Sequence, residues 1–306
     1  MQIPVWKMAL IAAALLLVSG TATAGNGDAL MPHVPSSARM VAGIDVASLR
    51  GTAVLDQVLQ AANAQQRIEQ VTGRLDRVGF NPTQQLDSLV VVGITLSRDE
   101  RPLLLLEGDL PRAAIEQALA TEGQARSESV GGFTIYTRSS SGSIVFLTDR
   151  VAAMGPPRVV QQVATQASSG EASRLSRGMR TLMGQANRSQ SLWFIATPTA
   201  AQLESTPFRG ATGVRGHADL RSGLRLTTHA VMPSAAAAST TASSMQDQIS
   251  TAASRDEVAA LGLGPVIQSI QANARGEAVE LTIQLDQARF RRTLNTVVAV
   301  IRDQLR

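Results

Sequence analysis

Apolar positions along this chain follow two rhythms placed back to back: a short continuous or alternating run, then a run recurring every three to four residues. Arg101 to Gly123 shows both. Leu103 to Leu106 is a strand-like run, and Ala114, Ile115, Ala118 and Leu119 then recur with helical spacing. Asp109 and Pro111 stand at the joint, where a carboxylate accepts from orphan N–H groups and a proline gives up no needed donor. The same strand-to-helix phrase restarts at Met40, Val151, Leu224 and Val279, with Asp45 and Asp286 at two joints and Pro156, Pro157 and Pro233 at others. Capping accounts for the three aspartates, so they are not collected into a site.

In order, the pattern predicts a strand at Met40 to Asp45. A helical stretch follows through Val54, Leu55, Val58, Leu59, Ala62, Ile68, Val71, Leu75 and Val78. Two strands, 89–96 and 103–110, form a hairpin; after the helix 112–121 come strands within 133–138, 143–150 and 151–155. The second half repeats this with a helix 175–186, the strand SLWFIATP, a hairpin 213–232, an Ala-rich helix from Ser234, the strand AVELTIQLD and a closing helix. This reads as α+β: two duplicated split-βαβ, ferredoxin-like modules with mainly antiparallel sheets, at 39–170 and 171–306. Runs such as Leu89 to Val92 and Leu103 to Leu106 do not alternate, which is expected of strands covered on both faces. The second face then needs the other half of the chain or a partner.

The N-terminus adds a location. Lys7, the apolar run Met8 to Val18 and the small-x-small site Ala22-Thr23-Ala24 predict a signal peptide, residues 1–24, cleaved after Ala24. The apolar run, about 11 residues, is short of the roughly 20 that span a bilayer. Export to the periplasm or beyond is expected, with no transmembrane segment afterwards. Residues 25–38 lack apolar periodicity and read as a tether holding a solvated His33.

Composition narrows the chemistry. Lys7 is the one lysine, so the exported chain has 27 arginines against 24 acids, a net charge near +3 that predicts no nucleic-acid partner. With no cysteine there is no disulfide, thiolate metal site or cysteine nucleophile. Aromatics make up 3% of the chain, too few for the stacking platforms of sugar or single-strand binders, and Trp193 reads as core. Nucleophile-elbow, phosphate-loop, His-Glu-x-x-His and calcium-loop patterns do not occur, so no cofactor, metal or catalytic residue is expected. The candidate cluster is the polar face of the hairpin 213–232, where period two lines up His217, Asp219 and His229 with Arg215, Arg221 and Arg225. Two imidazoles and a carboxylate could bind a metal or move protons, but such a face is also how an ordinary half-solvated hairpin looks. The closing helix presents Phe290, Leu294, Val297, Val298, Ile301 and Leu305 along one stripe, suited to covering its own sheet.

Several phrases carry a resemblance: Met40-Val41-Ala42-Gly43-Ile44-Asp45 after Pro35, Gly79-Phe80-Asn81-Pro82 before Leu86-Asp87-Ser88-Leu89, Leu106-Glu107-Gly108-Asp109, and Gly132-Phe133-Thr134-Ile135-Tyr136. They resemble those of uncharacterised secreted bacterial proteins with duplicated α+β modules, a domain of unknown function. The resemblance implies fold and export and carries no catalytic residues. The function expected is that of an exported, non-enzymatic envelope protein that binds another protein or supports an assembly. The alternatives are a periplasmic carrier of a small apolar ligand, held where the Ala-rich helix leaves room, and an enzyme with an unrecognised site.

Overall fold

A computed structural model of the chain describes residues 27–52, 78–96, 101–121, 125–138, 142–171, 173–204, 206–254 and 264–293. The expected signal peptide, most of the helical stretch from Val54 and the closing stripe from Leu294 lie outside the described residues. The architecture is mixed α and β with extensive antiparallel sheet, in two compact units, one of residues up to Gly51 and Val58–Arg177, the other of Thr52–Gln57 and Gly178 onward. Among the described residues no helix is long and apolar enough to cross a membrane.

The first unit begins with a 3-10 helix, Asp28–His33. It continues with β1 (Met40–Asp45), α1 (Val46–Leu49), α2 (Pro82–Gln85), β2 (Leu86–Gly93) and β3 (Leu103–Gly108). Then come α3 (Arg112–Thr121), β4 (Ala125–Val130), β5 (Phe133–Arg138), β6 (Gly142–Phe146), β7 (Val151–Gly155) and α4 (Pro157–Ser169). Asp45 caps α1, its Oδ1 accepting from Ser48 N at 2.9 Å, whereas Asp109 donates its own N–H to Gln85 O at 2.7 Å. The strand order is β1-β2-β3-β7-β6-β5-β4. On one face Val41, Val90, Val92, Leu103, Leu105, Ile135, Val145 and Ala153 are all essentially inaccessible, and α4, with Val160, Val163 and Ala164 buried, packs on its β5, β6 and β7 part.

The 3-10 helix packs on the same sheet, against β3 and α4. Leu30 and Val34 are fully buried, and Gln166 Nε2 donates to Pro32 O at 2.6 Å. The stretch expected to be a tether is therefore part of the fold from Gly27 onward. Its two apolar side chains, four residues apart, were too few to register as a period. His33, expected to be solvated, is half-buried, and that burial lowers its pKa.

The second unit contains α5 (Arg177–Gln185), β8 (Leu192–Ala196), α6 (Ala200–Leu203), β9 (Gly213–Asp219), β10 (Gly223–Val231) and α7 (Ala235–Ala253). It continues with α8 (Gly264–Gln268), β11 (Ile270–Arg275) and β12 (Ala278–Asp286). Asp286 Oδ1 accepts from Arg289 N at 2.8 Å at the start of helical residues 287–293. The strand order is β8-β9-β10-β12-β11. The Ala-rich α7 lies on one face, where Ala238, Ala242 and Met245 pack with Ala230, Met232, Ala272 and Val279.

Neither order is the full one of a ferredoxin-like module, although every hydrogen-bonded pair within each unit is antiparallel as expected. In each unit the helix between two strands is a crossover: β10 and β11, joined through α7, both pair antiparallel with β12 and so run parallel on either side of it, and β3 and β4, joined through α3, likewise run parallel with β7, β6 and β5 between them, while β1 and β2, and β8 and β9, are antiparallel neighbours. Both units do share the series strand, helix, two strands, helix, two strands. Their sheets also correspond, the first having the order of the second with the hairpin β6-β7 added between β3 and β5.

Candidate functional site

The β9-β10 register sets His217 opposite Thr227 and His229 opposite Arg215, so the imidazoles lie diagonally on one face. Neighbouring strands complete two rows. Trp193, His217, Thr227 and Thr282 form one, and Ile195, Arg215, His229 and Glu280 the other. His229 Nε2 lies 3.9 Å from Glu280 Oε2, and Glu280 Oε1 accepts from Arg275 Nε at 2.6 Å. Helix α5 sits over the end of this face: Gln185 Oε1 accepts from Arg215 Nε at 3.2 Å, and a side chain at Gly213 would meet Leu182. Gly216 points the other way, where any Cβ would collide with the Phe194 ring.

This half-buried setting depresses both imidazoles. Burial lowers the pKa of His217 and of His229, Arg215 adds to the effect, and Glu280 opposes it. Both are therefore neutral at pH 7. Asp219 stands apart from them chemically. It accepts from Arg221 N at 3.0 Å and pairs with the same guanidinium through two contacts of 2.9 Å, which hold its pKa down. The structure thus brings His217 and His229 together, adds Glu280, and leaves Asp219 to the turn. Among the described residues no group of three His, Cys, Asp or Glu side chains is arranged to hold a metal. Glu280 escaped the sequence reading because β12 is distant in the chain, though its alternation with Val279 and Leu281 marks it as facing the polar side.

A second cluster, in the first unit, was not anticipated. Asp87 Oδ1 accepts from Arg50 at 2.8 Å and its Oδ2 from Arg150 at 2.6 Å, while Arg50 also donates to Leu86 O at 2.8 Å. The Arg50 side chain is 5% exposed and its Nε is buried without a hydrogen-bond partner. Glu107 lies beside this group, its pKa raised by burial and by Asp87 and lowered less by Arg150 and a hydrogen bond with Ser88. Asp45, Ser88 and Glu107 are cross-strand neighbours in the row beyond the buried Gly43, Val90 and Leu105.

The first unit also presents an apolar row on the sheet face opposite α4. Val91, Leu104, Met154, Ile144 and Tyr136 are successive cross-strand partners over β2, β3, β7, β6 and β5. Four are half-buried, and Met154, at 37% exposed, is the exposed large hydrophobic among the described residues. At its end Tyr136 lies near Glu116 and Arg112, with burial raising its phenol pKa.

No family model matches the chain, and no curated protein is significantly similar to it. Among solved structures it is similar to TP0453. Crystal form I superposes with a TM-score of 0.50 at 9% identity, covering 88% of this chain and 96% of that one. Form III gives 0.52 at 10% over 87% and 97%, and form IV 0.51 at 10% over 89% and 95%. At such identity the likeness concerns the fold.

Proposed function

We propose that this chain is an exported, non-enzymatic envelope protein that binds another protein through the sheet of its first unit. The observation that carries the reading is the row Val91, Leu104, Met154, Ile144 and Tyr136, which is half-buried around an exposed Met154, with Ile144 anchored on the cluster of Phe80, Leu110, Phe146 and Ala152. A contiguous apolar strip with a tyrosine, an arginine and a glutamate at its end has the anatomy of a protein interface, apolar at the centre and polar at the rim. The occupant that fits is a protein surface offering an apolar strip of its own. Export rests on the signal-like order of Lys7, the apolar run and Ala22-Thr23-Ala24. The matching strand orders support descent of the two units from one duplicated module, in keeping with the resemblance to secreted proteins of duplicated α+β modules.

The test is a photo-crosslinking residue placed at Met154 in cells that make the full chain, with one at exposed Ser239 of α7 as control. A discrete adduct from Met154, absent from Ser239 and lost on Leu104→Glu, supports the reading. The same adducts from both positions, or none from Met154, overturns it.

A further inference from the structure

We propose that the chain forms a twofold dimer by antiparallel pairing of β4 with β4 of a second copy. β4 is the terminal strand of its unit's sheet, and Arg126 to Ser129 are exposed. It runs into β5 through Gly131 and Gly132, whose φ values of 58° and 86° make a two-residue turn of the primed type. In such a turn the flanking residues, Val130 and Phe133, bond to each other. Counting back by two, Glu128 and Arg126 bond toward β5, and Ala125, Ser127 and Ser129 turn their N–H and C=O groups outward.

That outward edge is self-complementary in one register. A twofold axis at Ser127 pairs Ser127 with its mate and Ala125 with Ser129 through backbone hydrogen bonds, and sets Arg126 of each copy opposite Glu128 of the other. These charges occupy non-hydrogen-bonded positions, where cross-strand side chains approach most closely. Axes at Arg126 or Glu128 would set like charges face to face, and axes at Ala125 or Ser129 leave the arginine and glutamate unmatched. A groove of about 210 Å³, lined by Arg126, Ser127, Glu128, Thr137, Pro157 and Gln161, runs beside this edge and gives the incoming side chains room. Gln161 already holds Glu128 by a hydrogen bond, fixing that carboxylate on the side where the mate's arginine would arrive.

The corresponding edge strand of the second unit sharpens the case. Along β11, Ala272 N–H donates to Gln246 Oε1 of α7 at 3.1 Å, so a helix side chain occupies that edge. Native edges are commonly blunted in such ways, and β4, short and charged, is guarded against promiscuous pairing while remaining matched to itself.

Sedimentation equilibrium of the exported chain tests this. A dimer is expected, with Arg126→Glu or Glu128→Arg each weakening its dissociation constant about tenfold or more, since each change sets two like-charge pairs across the axis. The double exchange Arg126→Glu with Glu128→Arg restores the matched pattern and should restore dimerisation. The chain has no cysteine, so Ser127→Cys can report alone. Hydrogen-bonded partners stand about 5.5 Å apart at Cα, within disulfide reach, whereas Ser129 and its mate are far beyond it. Mild oxidation should link Ser127→Cys into dimers and leave Ser129→Cys monomeric. Because both serines are exposed, unchanged circular dichroism separates pairing from misfolding. A monomeric parent chain, a dimer indifferent to both single exchanges, or equal crosslinking at 127 and 129 overturns the proposal.

Discussion

The cluster around Asp87 and the cluster around Glu280 are made of similar parts, a carboxylate met by arginines, yet they have opposite consequences. Asp87 is clasped by Arg50 and Arg150, and Arg50 is almost wholly out of water. Glu280 is held by Arg275, whose side chain is 70% exposed, and its other neighbours are Arg215 and two histidines. Burial decides the first case. An ion pair cut off from solvent contributes little net stability against an apolar replacement, but losing one member strands the other charge at great cost. Titration decides the second, because a histidine can change its charge where an arginine cannot.

The largest effect is therefore expected at Asp87. Replacing it with alanine leaves Arg50 with its bond to Leu86 O and a guanidinium whose Nε is already without a partner. A loss of about 3–5 kcal/mol should appear in denaturant unfolding. A loss below about 1 kcal/mol would mean that water reaches Arg50 and that the two clusters are alike.

Acid should then separate the two units. Folding holds the pKa of His217 and His229 below the ordinary 6.5, so the unfolded chain binds more protons as pH falls. The stability this neutral pair contributes is complete above about pH 6.5 and is lost progressively below it. The charges that face the pair are Arg215, Arg275 and Glu280, so each added proton meets more positive charge than negative. Trp193, directly opposite His217, serves as the fluorescent reporter. Unfolding midpoints between about pH 7.5 and about pH 5 should fall in the parent chain, and the fall should shrink in a His217→Gln, His229→Gln variant. The third histidine, His33, is also depressed by burial. An undiminished slope in the double variant would move the effect to it.

Glu107 should respond in the reverse sense. Its pKa in the fold is raised above 4.5, so the folded state holds the proton more tightly, and stability is lost as pH rises through that raised value. Glu107→Gln should remove this dependence and make the first unit slightly more stable at pH 7. A variant less stable than the parent at pH 7 would show that the ionised carboxylate is favoured by Arg150 more than it is opposed by burial and Asp87.

These two clusters also show what the sequence made legible. Helix α3 falls on 112–121 as its period predicts, and the hairpin face with His217 and His229 was plain from alternation alone. Alternation assigns a face and says nothing of which strand lies alongside, so Glu280 and Trp193 could not be placed there. Arg50 and Asp87, 37 residues apart, meet only through tertiary packing, and no local signal distinguishes Arg50 from a solvated helix end. The full ferredoxin-like order was out of reach for a related reason. A series of strands and helices fixes the succession of elements, while the neighbours in the sheet depend on whether each connection is a hairpin or a crossover. Residues 28–34 were missed because two buried side chains, Leu30 and Val34, are too few to make a period.

The smallest effect is expected where a charge pair looks best on geometry alone. Arg221 grips Asp219 through Nε and a terminal nitrogen, both at 2.9 Å, in the fork that carboxylates favour. Yet the two side chains are 51% and 22% exposed, two residues apart in a turn, so water screens the attraction and little chain entropy is saved by closing so short a loop. Arg221→Ala should cost no more than about 0.5 kcal/mol, in contrast to Asp87→Ala. The Asp219 pKa should rise toward its ordinary value as its largest stabilising contact is lost. Carboxyl titration by NMR reads the second change and denaturant unfolding the first. A cost above about 1 kcal/mol would mean that the fork holds the β9-β10 turn in place, and that exposure is a poorer guide to the worth of an ion pair here than geometry.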